Sequence, residues 1–162
     1  MTGHVYALGD SVMQGAGPDL YATLPGCCPG IEVDAVPNRQ MWHAPDLLVA
    51  RLQQAPVPAV IVVHLGTNGL FSETTFDAVV AAAGDVPLAF VNIKAPRDWE
   101  GPVNERLATG VERHGARACL VDWHAVATRG PTDHLKADGF HLSRIGAVAY
   151  AEVIAGALAR SA

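Results

Sequence analysis

Val5-Tyr6-Ala7-Leu8-Gly9-Asp10-Ser11-Val12 reads as an apolar run of strand length that breaks on a glycine and delivers a serine just beyond its end. The same grammar recurs down the chain. Apolar runs at Val5–Leu8, Ile31–Val36, Ala59–Leu65, Pro87–Ile93 and Ala118–Val121 are short, and the middle ones are rich in β-branched residues, as strands buried on both faces are. Between them lie helix-compatible stretches at Ala44–Gln54, Glu73–Ala83 and Val103–His114, and Ser143–Arg160 closes the chain. Ser72 or Thr74 is placed to cap one helix and Ser143 another. Strands alternating with helices require right-handed crossovers and a parallel sheet covered on both sides. The expectation is an α/β fold: a three-layer α/β/α sandwich around a five-stranded, flavodoxin-like parallel sheet. Residues 1–162 read as one domain, with Gly15–Gly30 as a Gly/Pro-containing connection.

Composition narrows the function classes. A chain of 162 residues buries roughly 70% of its unfolded surface, enough for one core. Its net charge is −5 and its lysines and arginines are scattered singly, so no basic stripe exists to meet nucleic acid. The longest apolar stretch, around Ala59–Val63, falls far short of the roughly 20 residues that span a bilayer. No membrane insertion by this chain is expected. Ser11 lies too near Met1 to leave room for a signal peptide, which predicts a cytoplasmic protein if the chain is complete. Cys27, Cys28 and Cys119 lack the spacing of a zinc site; a bridge from the pair to Cys119 is one reading and buried thiols the blander one. His64 falls within a strand and reads as a core residue, and the other histidines outside the Asp138 loop form no ligand cluster, so no metal is expected. Gly15-Ala16-Gly17 fits neither dinucleotide nor P-loop patterns, and no cofactor is expected. Trp42, Trp99 and Trp123 read as packing residues, Trp99 being the one also placed to meet a sugar.

Ligands of open parallel sheets bind outside the carboxyl ends of the strands. Ser11 follows the first strand, Asn38 and Arg39 the second, Asn68 the third, and Asp138 and His141 lie in the loop after the fifth. These positions converge on one edge. A serine is inert at its ordinary pKa and needs a base, an orienting acid and donors for the charge that develops on a carbonyl oxygen. His141 can take the proton. Asp138, three residues before it, can hold the imidazole, and the Ser11 backbone N–H and Asn68 amide can serve as donors.

Gly9-Asp10-Ser11, Gly66-Thr67-Asn68 and Asp138-x-x-His141, in this order, resemble the first, third and fifth blocks of the SGNH (GDSL-type) hydrolases. The resemblance spans nearly the whole chain. It implies an esterase fold with Ser11 as nucleophile, Asp138 and His141 completing the triad, and Asn68 in the oxyanion hole. Asn38 stands where the family's second block has a glycine, whose backbone N–H is a further donor; asparagine tolerates left-handed backbone, so this N–H too can point inward. Val62–Gly69, Arg97-Asp98-Trp99-Glu100 with Asn104, and Asp122-Trp123 are similar to the extracytoplasmic domains of membrane O-acyltransferases that acetylate cell-wall polysaccharides. The resemblance thus also implies attachment to a membrane acyltransferase domain, and an extracytoplasmic place, if the chain is a fragment.

Two functions from different classes compete. One is a serine esterase or acyltransferase that cleaves or transfers small O-acyl groups such as acetyl, on a small-molecule or carbohydrate ester. The other is a non-catalytic flavodoxin-like module whose crevice holds a ligand. G-x-S-x-G is absent, which disfavours the α/β-hydrolase fold.

Overall fold

Leu8 on the first strand pairs with Asp34 on one side and Val63 on the other, so three strands end level with one another. That register explains why segments far apart in sequence leave the sheet at the same height. The computed structural model describes residues 3–26, 28–129 and 133–160. Its strands are β1 (His4–Gly9), β2 (Gly30–Ala35), β3 (Val60–His64), β4 (Leu88–Val91) and β5 (Ala118–Val121). All pairings are parallel, in the order β2-β1-β3-β4-β5. This is the flavodoxin-like doubly wound arrangement.

The two-residue period of a strand divides the core into two halves. Val5, Ala7, Val60, Val62, Ala89, Val91 and Val121 face one way. They pack under α1 (Ser11–Gly15), α2 (Gly17–Thr23), α6 (Trp123–Thr128) and α7 (Arg144–Arg160). Tyr6, Leu8, Ile61, Val63, Leu88 and Phe90 face the other way, under α3 (Ala44–Leu52), α4 (Glu73–Ala82) and α5 (Glu100–His114). Burying each large apolar side chain contributes roughly 1.5–3 kcal/mol against leaving it in water, so a sheet covered on both faces gains twice over.

Helix starts follow the expected caps. Ser72 accepts the Thr75 N–H at 3.0 Å, and the Ser143 hydroxyl accepts the Gly146 N–H at 3.0 Å. The stretch Gly15–Gly30 is a correction. It is largely helical, and Val12, Met13, Ala16, Leu20 and Leu24 bury against the sheet at helical spacing. Its glycines and proline misled the reading: Pro18 sits in the first turn of α2, where its missing N–H costs nothing. The segment read as a connection is therefore part of the scaffold, packed on the sheet. Gly9 has a steric reason, since a Cβ there would lie 2.4 Å from that of Met13.

Cys28 is buried in this half of the core. Cys27 lies outside the described residues. Among the described residues, no helix is long and apolar enough to cross a membrane.

Candidate active site

Asp10 shapes the turn from β1 into α1. It is fully buried, and its carboxylate accepts the Val12 N–H at 3.0 Å, capping the five-residue helix. Ser11 thereby occupies the first helical position, where a backbone N–H has no acceptor within its own helix. The Ser11 hydroxyl lies 3.1 Å from His141 Nε2. On the opposite side of the ring, Nδ1 lies 2.9 Å from Asp138 Oδ2. A carboxylate can only accept, so Nδ1 carries the hydrogen and Nε2 is left to accept from serine.

Asp138 is held by its own loop. Its Oδ1 accepts the backbone N–H groups of Phe140 at 3.1 Å and His141 at 2.9 Å. Desolvation pushes the carboxyl up, but the His141 ring, these two amides and the nearby imidazole charge outweigh it, holding Asp138 at about 2. It is ionised throughout the working range of an imidazole base. An imidazole so oriented can take a proton from Ser11 while the carboxylate stabilises the resulting cation.

Asn68 enters from the β3 end. Its amide donates to Asp10 Oδ2 and to the Arg39 carbonyl, both at 3.3 Å. These bonds tie the β1, β2 and β3 exits together and fix where the amide points. Asn38 is the one non-glycine residue with left-handed backbone among those described, at φ 61°, and it is exposed. The conformation expected of a residue standing in for glycine is present. Next to it, Arg39 is buried: it donates to the Asp34 carboxylate at 2.7 Å, the Asp34 carbonyl at 2.5 Å and the Gly9 carbonyl at 3.3 Å. Tyr6 donates to the other Asp34 oxygen at 2.7 Å. Burial and then this carboxylate raise the Tyr6 hydroxyl well above its ordinary value, so it remains a donor. The loop after β2 is thus anchored to the backbone immediately before Ser11. Sequence placed Arg39 at this edge but gave no sign of its partners, which lie on two different strands.

The β4 and β5 exits are braced likewise. Asn104 accepts the Ile93 N–H and donates to the Ile93 carbonyl, each at 2.8 Å. Asn92 donates to Asp122 at 2.8 Å and accepts the His124 N–H at 2.7 Å. Trp99 donates its indole N–H to the Thr67 carbonyl at 3.3 Å, and Trp123 is fully buried. Glu100 binds Lys94 and His124 at 3.0 Å, and also accepts from the Ala95 backbone. Trp42 departs from the packing role: it is 60% exposed. The sequence reading missed it because Trp42 lies between buried Met41 and Ala44, and only the direction of the turn Met41–His43 decides which side chain faces out.

His64 sits behind the site as expected of a core residue. It is buried, with Nδ1 2.6 Å from the Tyr150 hydroxyl. Burial pushes the imidazole below its ordinary value and the Tyr150 hydroxyl above its own.

No family model matches the chain. The peptidoglycan O-acetyltransferase OatA of Listeria monocytogenes is 28% identical over 148 residues, which are 91% of this chain and 23% of that protein. The chain therefore spans about a quarter of the length of this curated relative. The C-terminal catalytic domain of the Streptococcus pneumoniae peptidoglycan O-acetyltransferase OatA superposes with a TM-score of 0.84 at 21% identity, covering 99% of this chain and 95% of that one. A family 3 carbohydrate esterase of Clostridium thermocellum superposes with a TM-score of 0.73 at 17% identity, covering 98% and 100%. With this fold, and with the Gly-Asp-Ser, Gly-Thr-Asn and Asp-x-x-His blocks at the carboxyl edge of its sheet, the chain is similar to the SGNH (GDSL-type) hydrolases, and in particular to the catalytic domains of peptidoglycan O-acetyltransferases.

Proposed function

We propose that residues 1–162 act as one catalytic domain, a serine esterase or acyltransferase that takes small O-acyl groups, acetyl above all, from a carbohydrate ester. The observation that carries this reading is the unbroken line from Asp138 through His141 to the Ser11 hydroxyl, with contacts of 2.9 and 3.1 Å. Ser11 Oγ attacks the ester carbonyl carbon as His141 Nε2 takes its proton. The carbonyl oxygen becomes an oxyanion facing the Ser11 N–H, the Asn68 amide and the Asn38 N–H. Collapse of this intermediate breaks the bond to the sugar oxygen, which leaves with the proton from His141, and acetyl-Ser11 remains. Water or an acceptor hydroxyl then attacks, with His141 again as base, giving hydrolysis or transfer. Both outcomes use the same groups and differ only in which nucleophile reaches the carbonyl.

The carbohydrate part of the reading draws on the names of the similar proteins, which are peptidoglycan O-acetyltransferases and a carbohydrate esterase. The span of only 23% of the Listeria relative favours a domain that works attached to a membrane acyltransferase partner, outside the cytoplasm. The test is covalent. A fluorophosphonate probe is expected to label Ser11, and acetyl esters to turn over; Ser11→Ala is expected to remain folded and lose both. A folded Ser11→Ala protein with activity within tenfold of wild type would remove the triad from consideration.

A further inference from the structure

A cavity of about 440 Å³ opens beside the end of β2, apart from the serine, histidine and aspartate but sharing Asn38 and Arg39 with the site. That volume falls in the roughly 300–1,000 Å³ range of small-molecule sites. Its walls combine two chemistries. Val36, Pro37 and Leu47 supply apolar surface, and Trp42, a residue that is 60% exposed, contributes its ring. Asn38 and Asp46, both exposed, supply hydrogen-bonding groups at the same opening.

The Trp42 ring is held in place. It stacks on the His43 ring with centroids 3.6 Å apart and planes 28° from parallel. His43 Nδ1 in turn accepts the Gln40 N–H at 3.2 Å. An exposed indole fixed from behind loses little rotamer freedom when a ligand covers it, which is what an aromatic platform requires. This ring sits on a rim with a carboxylate and a carboxamide, those of Asp46 and Asn38. A pyranose fits this combination: its C–H face is apolar and broad, while its hydroxyls leave the ring edge as donors and acceptors. An acyl chain would leave Asp46 and the Asn38 amide without use.

We infer that this cavity is a sugar subsite, with Trp42 as the platform for a pyranose ring and Asp46 and Asn38 meeting its hydroxyls. The inference rests on the esterase reading for what the bound sugar does. Arg39 joins the two places, because its guanidinium donates to the Gly9 carbonyl before Ser11 and its own carbonyl accepts from Asn68. The cavity and the site thus share the Asn38-Arg39 turn, and the subsite would select esters carried on a glycan over simple alkyl esters.

The experiment is a titration of the whole chain with tri-N-acetylchitotriose, which carries no ester to be consumed, followed by the indole N–H resonances of Trp42, Trp99 and Trp123. The Trp42 resonance is expected to shift saturably with a Kd of about 1 mM or tighter, while that of buried Trp123 stays in place. Trp42→Phe should keep the affinity within about threefold and Trp42→Ala weaken it by about tenfold or more. Absence of saturable binding overturns the proposal, as does a shift confined to Trp99 or a folded Trp42→Ala protein with unchanged affinity. Should Trp42→Ala fail to fold, the resonance shifts of the unaltered protein decide. Fluorophosphonate labelling of Ser11 is scored separately: labelling without a Trp42 response sinks the subsite alone, and a Trp42 response without labelling sinks the esterase reading alone.

Discussion

Asn68 carries two duties that a point substitution separates. Its amide donates to a fully buried carboxylate, Asp10, and to the Arg39 carbonyl, and the same amide is the proposed side-chain donor to the oxyanion. Asn68→Ala removes the first set in the resting protein, leaving a buried carboxylate short of a partner at a cost of about 1–3 kcal/mol. It removes the second only as charge develops, which lowers kcat by roughly 100- to 1,000-fold with little change in KM. Thermal melts read the first effect and kinetics the second. A mutant with lower melting temperature and normal kcat would leave Asn68 a structural tie only. Asp138 poses no such ambiguity, since its depressed value of about 2 keeps it charged wherever His141 is neutral. Its stabilising contribution is complete above the ordinary carboxylate value of 3.8 and is lost only as pH falls through about 2.

At the scale of elements, the loop bearing Asp138 and His141 meets α7 through a close backbone approach. Lys136 N–H donates to the His141 carbonyl at 2.7 Å and Ser143 N–H to the His134 carbonyl at 2.9 Å, closing the loop on itself. Gly146, in the first turn of α7, faces that closure: a Cβ there would lie 1.8 Å from the His134 carbonyl oxygen. Alanine in a helix normally gains up to about 1 kcal/mol over glycine. Here the overlap is with backbone, which cannot swing aside, and overpacking costs typically about 1–3 kcal/mol. Gly146→Ala is therefore expected to destabilise, with a lower denaturation midpoint and, because the loop must shift, slower turnover. A midpoint equal to or above wild type would show that the loop yields freely. The helices α1 and α2 teach the related lesson that a glycine-rich stretch becomes helical when its apolar residues find a sheet to cover.

For the whole molecule, the pair His64 and Tyr150 joins the central strand to the terminal helix inside the core. Burial holds the imidazole below its ordinary 6.5, with Asp10 opposing the shift more weakly. A histidine depressed in the folded state contributes stability that is complete above 6.5 and declines as pH falls below it, because the unfolded chain then binds the proton more readily. The groups facing it are the Tyr150 hydroxyl, Thr67 and the charge of Asp10. The melting temperature is expected to fall from neutrality toward about pH 5, and His64→Gln to flatten that slope while starting from lower stability. Equal slopes in the two proteins would place the acid sensitivity elsewhere.

The sequence alone determined the strand and helix alternation, the parallel sheet that alternation requires, and the edge at which Ser11, Asn38, Asn68, Asp138 and His141 gather. Those features follow from local periodicity and from the rule that crossovers are right-handed, both of which are written in neighbouring residues. Only the tertiary structure decided what Arg39, Asp10 and Trp42 do. Arg39 and Asp10 are buried charges whose partners come from β1, β2 and the β3 exit, and no local pattern records which strands will end level. Trp42 and Trp123 look alike as letters. One is 60% exposed over a cavity and the other is fully buried, because the direction a side chain takes depends on the turn that carries it and on what has packed beneath.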